Sequence, residues 1–436
     1  MAPSCCILIL LDGLGDRSFA ELGQRTPLQA AHTPNLDKIA TLGANGLMHC
    51  GRQGMALPSE NAHFSLFGYR QEEFPGRGYL EALGADIPVA EQETAFLAHL
   101  SQVKVDQNTL VLEKDRPGLQ QREVAPLFDA VKEYSHKNLG CRLVPTRGVD
   151  AILLVDAPSS RYVTDTLPFY EGLPLVEPEP LDEYSTDQVA LHTVELLKAY
   201  QIWAHKILND HPLNLARKKE GKIVLNGVLT LRPGQRRTVE QFSRRWGLKG
   251  LSIATGLIYW GLAQFTGMDT IKVKDGSDPG DDIHERLLQA VRLAKQYEFI
   301  HVHSKVPDDA AHSKDYRKKV AAIESLDRGI GRILDSLINE QILFIVTSDH
   351  STPSSGRLIH SGEPVPIAMV GKGMRRDAVR LFNEVDCAGG SLGFVQGGNL
   401  MYLVLNALDR IKLSGLNDTP HSQPFWPGSR KPFQLG

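Results

Sequence analysis

"CCILILLDGLGD", residues 5–16, is the stretch that decides the fold. Seven apolar residues follow one another without alternation and stop on Asp12-Gly13. Such a run is too short for an amphipathic helix and has no polar face, so it reads as a strand buried on both sides. The same texture recurs in "AILLV" (151–155), "KIVLNG" (222–227), "FIHVHS" (299–304), "ILFIVTS" (342–348) and "VPIAMVG" (365–371). Helical patterns lie between these runs. "TPNLDKIATLG" offers Thr33 as N-cap, Pro34 at the first helical position and Gly43 past the end. Residues 315–338 carry Val320, Ile323, Leu326, Ile330, Leu334 and Leu337 at helical spacing. Alternating strands and helices predict an α/β protein with a mainly parallel sheet flanked by helices. Sites in such sheets form beyond the carboxyl ends of the strands.

The chain has 436 residues, enough for two domains or more. Polar and basic stretches around 101–125 and 205–245 differ from the two ends in texture. They suggest a smaller inserted α/β domain over 92–248, between a first part (1–91) and a second part (249–436) of the main domain. The final "NDTPHSQPFWPGSRKPFQLG" is expected to be an extended tail packed on the surface. Hydrophobic content of 42% and a net charge of −3 fit a soluble globular protein and argue against nucleic acid as a partner. Cys5, Cys6, Cys50, Cys141 and Cys387 are odd in number and lack C-x-x-C spacing, so neither a disulfide framework nor a zinc ribbon is expected. The N-terminal run has no basic residues before it and is too short for a membrane span. A cytoplasmic protein is expected; the sequence does not specify its oligomeric state.

Polar residues with metal-binding chemistry gather where the apolar runs end. Asp12 follows the first; alone it would also suit a turn before Gly13. In "HSKVPDDAAHSKD" (303–315), Asp308 and His312 are spaced to share one face of a helical turn, although a solvated helix start has the same spacing. "VTSDHSTPSSGRLIHSGEPVP" (346–366) ends a strand on Asp349-His350 and holds His360 in the loop beyond. Together these residues supply mixed oxygen and nitrogen ligands suited to Mn²⁺, Zn²⁺ or Mg²⁺, and enough of them for two ions. In "LPSENAHFSLFGY" (57–69), Ser59 lies where a helix begins. It reads either as a simple N-cap or as a hydroxyl activated by metal to attack phosphorus.

Taken together, "LLDGLGD", "PSENAH", "GRGYLEALG", "DDAAH", "SDHSTP", "HSGEPVP" and "CAGGSLGFVQGGNLM" resemble the archaeal-type cofactor-independent phosphoglycerate mutases, of the alkaline-phosphatase-like metalloenzyme superfamily. The resemblance implies two divalent ions, Mn²⁺ first and Mg²⁺, Zn²⁺ or Co²⁺ as alternatives. Asp12, Ser59, Asp349 and His350 would hold one; Asp308, His312 and His360 would hold the other. It makes Ser59 the hydroxyl that is phosphorylated and dephosphorylated, and Lys305 a catalytic lysine. The implied reaction interconverts 2- and 3-phosphoglycerate without 2,3-bisphosphoglycerate.

The middle of the chain departs from the family pattern. An "FRCN"-like stretch corresponds to "FLAHL" (96–100), an "EHR"-like segment to "GVDAILL" (148–154), and a "DRRAGR"-like segment to "EKDRPGL" (113–119), which keeps Arg116. The family's "GATG" is replaced by "DGSDPGDD" (275–282). Arg77, Arg116, Arg147 and Arg161 remain as candidates to bind a small phosphorylated substrate, each equally readable as a solvated surface charge. A metal-dependent phosphohydrolase acting on another small phosphomonoester or phosphonate is the alternative function, and a non-catalytic binding relative is a third.

Overall fold

The opening run forms β1 (Cys5–Leu11), with every residue fully buried. In chain order the other strands are β2 (Ala44–His49), β3 (Thr94–Asp106), β4 (Thr109–Lys114), β5 (Glu133–His136), β6 (Leu139–Arg147), β7 (Asp150–Val155) and β8 (Gly227–Gln235). They are followed by β9 (Gly250–Ala254), β10 (Asp269–Lys272), β11 (Phe299–Ser304), β12 (Ile342–Thr347), β13 (Val365–Val370) and β14 (Gly393–Gln396). The computed structural model describes residues 2–339 and 341–435.

The chain divides into two units, Met1–Phe74 with Val239–Gly436, and Pro75–Thr238. The divisions fall before the expected 91/92 and 248/249. Helix Arg77–Gly84 packs its Gly78 on the Ala95 carbonyl of β3, and Gln235 donates to Pro75 O at 2.9 Å, so this segment belongs to the inserted unit. Helix Phe242–Trp246 instead sets Phe242 5.1 Å from Phe299, and Trp246 Nε1 donates to Phe67 O at 2.9 Å.

The first unit is built on an eight-stranded sheet, ordered β10-β9-β11-β1-β12-β13-β2-β14. β10, β9, β11, β1 and β12 run parallel, and only β13 is antiparallel to its neighbours. One face packs Cys5, Ile7, Ile9 and Leu11 against Leu36 and Ile39, Ile283 and Leu287, and Ile323, Leu326 and Ile330 from three helices. Helix Pro34–Leu42 begins after Thr33 and ends at Gly43, but the Thr33 hydroxyl makes no capping bond. The buried Asp327 carboxylate takes that part, accepting from Asn35 N at 3.1 Å and Leu36 N at 2.8 Å. The pattern over 315–338 resolves into helix Tyr316–Gly331 and a separate turn, Leu334–Leu337.

The inserted unit has a six-stranded sheet of antiparallel pairs around the long β3, with its own core from Phe96, Leu127, Phe128, Leu153, Leu197 and Tyr200. "AILLV" is a buried strand here, but it pairs antiparallel with β3 and β6. "KIVLNG" is not the expected strand. Asn214 brackets Leu225, donating to its carbonyl at 2.8 Å and accepting from its N–H at 3.1 Å; Asn226 exchanges bonds with the Val103 backbone. These side-chain amides satisfy the backbone where a ladder was expected, and pairing begins at Gly227. The C-terminal segment makes backbone bonds from Lys412 to Pro424 and from Trp426 to Arg410, while Phe433 and Leu435 are exposed. Its last residue, Gly436, lies outside the described residues. Among the described residues no helix is long and apolar enough to cross a membrane.

Candidate metal centre

Strand register gathers the chemistry. Leu11 pairs with Ser304 of β11, and Leu10 with Thr347 of β12, so three parallel strands end side by side. Asp12, the turn Lys305–His312 and Asp349-His350 therefore emerge at one edge of the sheet. β2 runs antiparallel to β13, which runs antiparallel to β12, so the segment after His49 returns to that same edge. It leads into helix Ser59–Leu66, where Ser59 is the first helical residue; Pro58, not Ser59, is the N-cap. The Ser59 hydroxyl is thus released from capping, and its Oγ lies 2.9 Å from His350 Nε2.

The protons show which atoms are left to bind a ligand. Thr352 donates its hydroxyl to Asp308 Oδ1 at 2.7 Å, so at 3.1 Å it accepts from His350 Nδ1, and this bond turns His350 Nε2 inward. That nitrogen faces Asp349 Oδ2 at 3.2 Å and Asp12 Oδ1 at 3.4 Å. Both oxygens are buried and unpartnered. The other oxygen of each carboxylate is occupied: Asp349 Oδ1 accepts from Gly13 N and His350 N, and Asp12 Oδ2 accepts from Tyr259 OH at 2.5 Å and His303 Nε2 at 3.1 Å. Two buried, unpartnered carboxylate oxygens that converge on one point are costly unless a cation intervenes. Two carboxylates, an imidazole and a hydroxyl fit a divalent ion.

A second group adjoins the first. His312 Nε2 lies 3.2 Å and His360 Nε2 3.6 Å from the Asp308 carboxylate. His360 Nδ1 donates to Leu57 O at 2.7 Å, which again turns the Nε2 lone pair inward. Burial and the neighbouring His350 push the His360 imidazole down to about 4, so it is neutral and able to ligate at neutral pH. Among the described residues, Asp308–His312–His360 and Asp12–Asp308–His350 have the close spacing needed to hold a metal, with Asp308 common to both. Lys305 Nζ sits 2.6 Å from Asp308 Oδ2 and 3.9 Å from Asp12 Oδ2. Burial disfavours its charge, but the two carboxylates outweigh it and raise the ammonium above the ordinary lysine range. Burial and Asp12 push Asp308 up; His312, Lys305 and His350 overcome both and hold it below the usual carboxylate range.

All eight residues expected at the centre thus meet at one sheet edge. Four participants escaped the sequence reading: His63, Tyr259, His303 and Thr352. His63 donates to Ser59 O at 2.8 Å and lies 3.4 Å from Asp349 Oδ2. Its signal was the four-residue spacing from Ser59 on one helix face, and that of His303 was a polar residue within a buried strand. Tyr259, from helix Leu257–Thr266, gave no signal separable from core packing. Burial, with Asp12 and Asp349, pushes its phenol well above the ordinary range, so it remains a hydrogen donor.

The four arginines lie in the inserted unit, and three of them have local partners there. Arg77 pairs with Glu81 at 2.7 Å, Arg116 with Asp150 at 2.9 Å, and Arg161 lies over the Tyr162 ring. Arg147 ends β6 opposite Asp150 in the strand register and is exposed.

Residues 4–407 match the model of the metalloenzyme superfamily. The 2,3-bisphosphoglycerate-independent phosphoglycerate mutase 2 of Methanocaldococcus jannaschii is 39% identical over 94% of both chains. The mutase of Thermococcus gammatolerans is 32% identical over 94% of this chain and 98% of its own. A solved protein of Pyrococcus horikoshii superimposes with a TM-score of 0.78 at 28% identity, covering 95% of this chain and all of that one. The cofactor-independent phosphoglycerate mutase of Thermoplasma acidophilum gives a TM-score of 0.61 at 29% identity, over 94% of this chain and all of its own. With the acceptor geometry at the sheet edge, these similarities lead to one conclusion: the chain belongs to the metalloenzyme superfamily and, within it, to the 2,3-bisphosphoglycerate-independent phosphoglycerate mutases.

Proposed function

We propose that this protein interconverts 2- and 3-phosphoglycerate through a phosphoserine at Ser59, with two divalent ions, Mn²⁺ foremost. One ion is assigned to Asp12, Ser59, Asp349 and His350, the other to Asp308, His312 and His360. The observation that carries the reading is the Ser59 hydroxyl, 2.9 Å from His350 Nε2, beside the unpartnered oxygens of Asp12 and Asp349. When bound, the ions neutralise the phosphoryl dianion and lower the pKa of the hydroxyl that attacks it.

The protein's own residues do the rest. Ser59 Oγ attacks phosphorus and loses its proton; the P–O bond to the glycerate oxygen breaks, and that oxygen leaves as an alcohol once protonated. The other glycerate hydroxyl then attacks the phosphoserine, restoring Ser59. Lys305, held cationic between Asp12 and Asp308, offsets charge on the phosphoryl oxygens. Helix Ser59–Leu66 begins at the nucleophile itself, so the positive end of its dipole favours the same anion.

A phosphohydrolase reading stands beside this one because Arg77 and Arg116, candidates for glycerate binding, are engaged by Glu81 and Asp150. One metal-stripped and Mn²⁺-restored preparation separates the two. Conversion of 3-phosphoglycerate to 2-phosphoglycerate without phosphate release supports the mutase; phosphate release without conversion supports the hydrolase.

A further inference from the structure

Resting on the two-ion reading above, we propose that Tyr259 and His303 are positioning residues that clamp Oδ2 of Asp12 and so reserve Oδ1 as its single ligand atom. The two donors come from different elements, Tyr259 from helix Leu257–Thr266 and His303 from β11 beside β1. They reach the same oxygen, at 2.5 Å and 3.1 Å. Their rings pack with centroids 3.9 Å apart, and Tyr259 is 3% and His303 0% exposed, so neither donor can swing away into solvent. An ionised carboxylate only accepts, which fixes the His303 proton on Nε2.

The consequence is a division of labour within one carboxylate. Oδ2 is spent on protein donors, while Oδ1 is unpartnered and lies 3.4 Å from His350 Nε2. Without the clamp, Asp12 is free to offer both oxygens to one cation, using a coordination position that the Ser59 hydroxyl or a phosphoryl oxygen needs. The two hydrogen bonds also draw charge from the carboxylate, leaving a bound ion more electrophilic. A tyrosine serving only as packing would owe nothing to its hydroxyl.

Tyr259→Phe keeps the ring and removes one oxygen. The test compares metal-stripped wild type and variant titrated with Co²⁺, reading the visible d–d absorption, which reports coordination number, and the affinity of each site by calorimetry. The proposal predicts weaker, shifted bands for one of two ions, the mark of a raised coordination number, and an affinity at that site changed by about tenfold. Bands and affinities identical to wild type would overturn it. His303→Gln removes the other donor and is read in the same way, so a folding failure of either variant leaves the other decisive. Wild-type protein that binds no Co²⁺ would overturn the two-ion reading and the clamp with it.

Discussion

Gly13 follows Asp12 at φ +63°, a backbone conformation that costs other residues about 1–2 kcal/mol. A Cβ there would lie 2.6 Å from Thr352 Oγ1 and 2.7 Å from Asp308 Oδ1, so a side chain would disturb Asp308 and the hydroxyl that links it to His350. Gly13→Ala is therefore expected to weaken Mn²⁺ binding by tenfold or more, read by calorimetry; unchanged affinity would mean the turn tolerates the methyl. At this scale Asp12 and Asp349-His350 were legible as polar residues that end an apolar run, and Asp308 by its four-residue spacing from His312. His63 and His303 were not, because a buried imidazole inside a helix or strand looks the same in sequence whether it supports a ligand or merely fills the core.

Between elements, a buried lysine does what no single loop does alone. Lys319, on helix Tyr316–Gly331, is fully buried and donates to Gly15 O at 2.8 Å, Thr352 O at 2.8 Å and Asp16 Oδ2 at 3.1 Å. It thereby ties the loop after β1 to the loop after β12. Removing one partner of a buried pair strands the other charge, typically at about 3–5 kcal/mol. Lys319→Met is expected near the lower figure, since Ser354 N and Oγ still reach Asp16; urea unfolding would measure it. The apolar runs disclosed β1, β11, β12 and β13 because burial on both faces leaves no alternation. They could not disclose pairing direction, so "AILLV" was expected in a parallel sheet and lies in an antiparallel one. Nor could they disclose that Asn214 and Asn226 would displace a ladder with side-chain amides.

At the scale of the whole molecule, each unit carries its own core, and the inserted one is expected to lose stability in acid through His99. This histidine stands in "FLAHL", where the family pattern differs; it is fully buried with Nε2 2.6 Å from Asp115 Oδ1. Burial lowers its pKa despite that carboxylate, so the unfolded chain binds a proton that the folded chain refuses. Stability supplied by neutral His99 is present above the ordinary imidazole value of about 6.5 and is lost as pH falls through the lowered one, about 1.4 kcal/mol for each unit of depression. The stability advantage of wild type over His99→Gln is expected to shrink between pH 8 and pH 5, measured by denaturant unfolding; a constant gap would contradict it. The insertion itself was legible as a change of texture, but its limits were not, because "GRGYLEALG" matches the family while packing with β3 and β8.

The central claim is that Ser59 carries the phosphoryl group. Rapid acid quench of the Mn²⁺-loaded protein during turnover of 3-phosphoglycerate, followed by peptide mass analysis, tests it most directly. The account predicts one phosphoryl group on the peptide holding Ser59, and its loss together with turnover, by about 10⁴-fold or more, in Ser59→Ala. Sustained turnover with Ser59 unmodified, or by the Ser59→Ala variant, would contradict it.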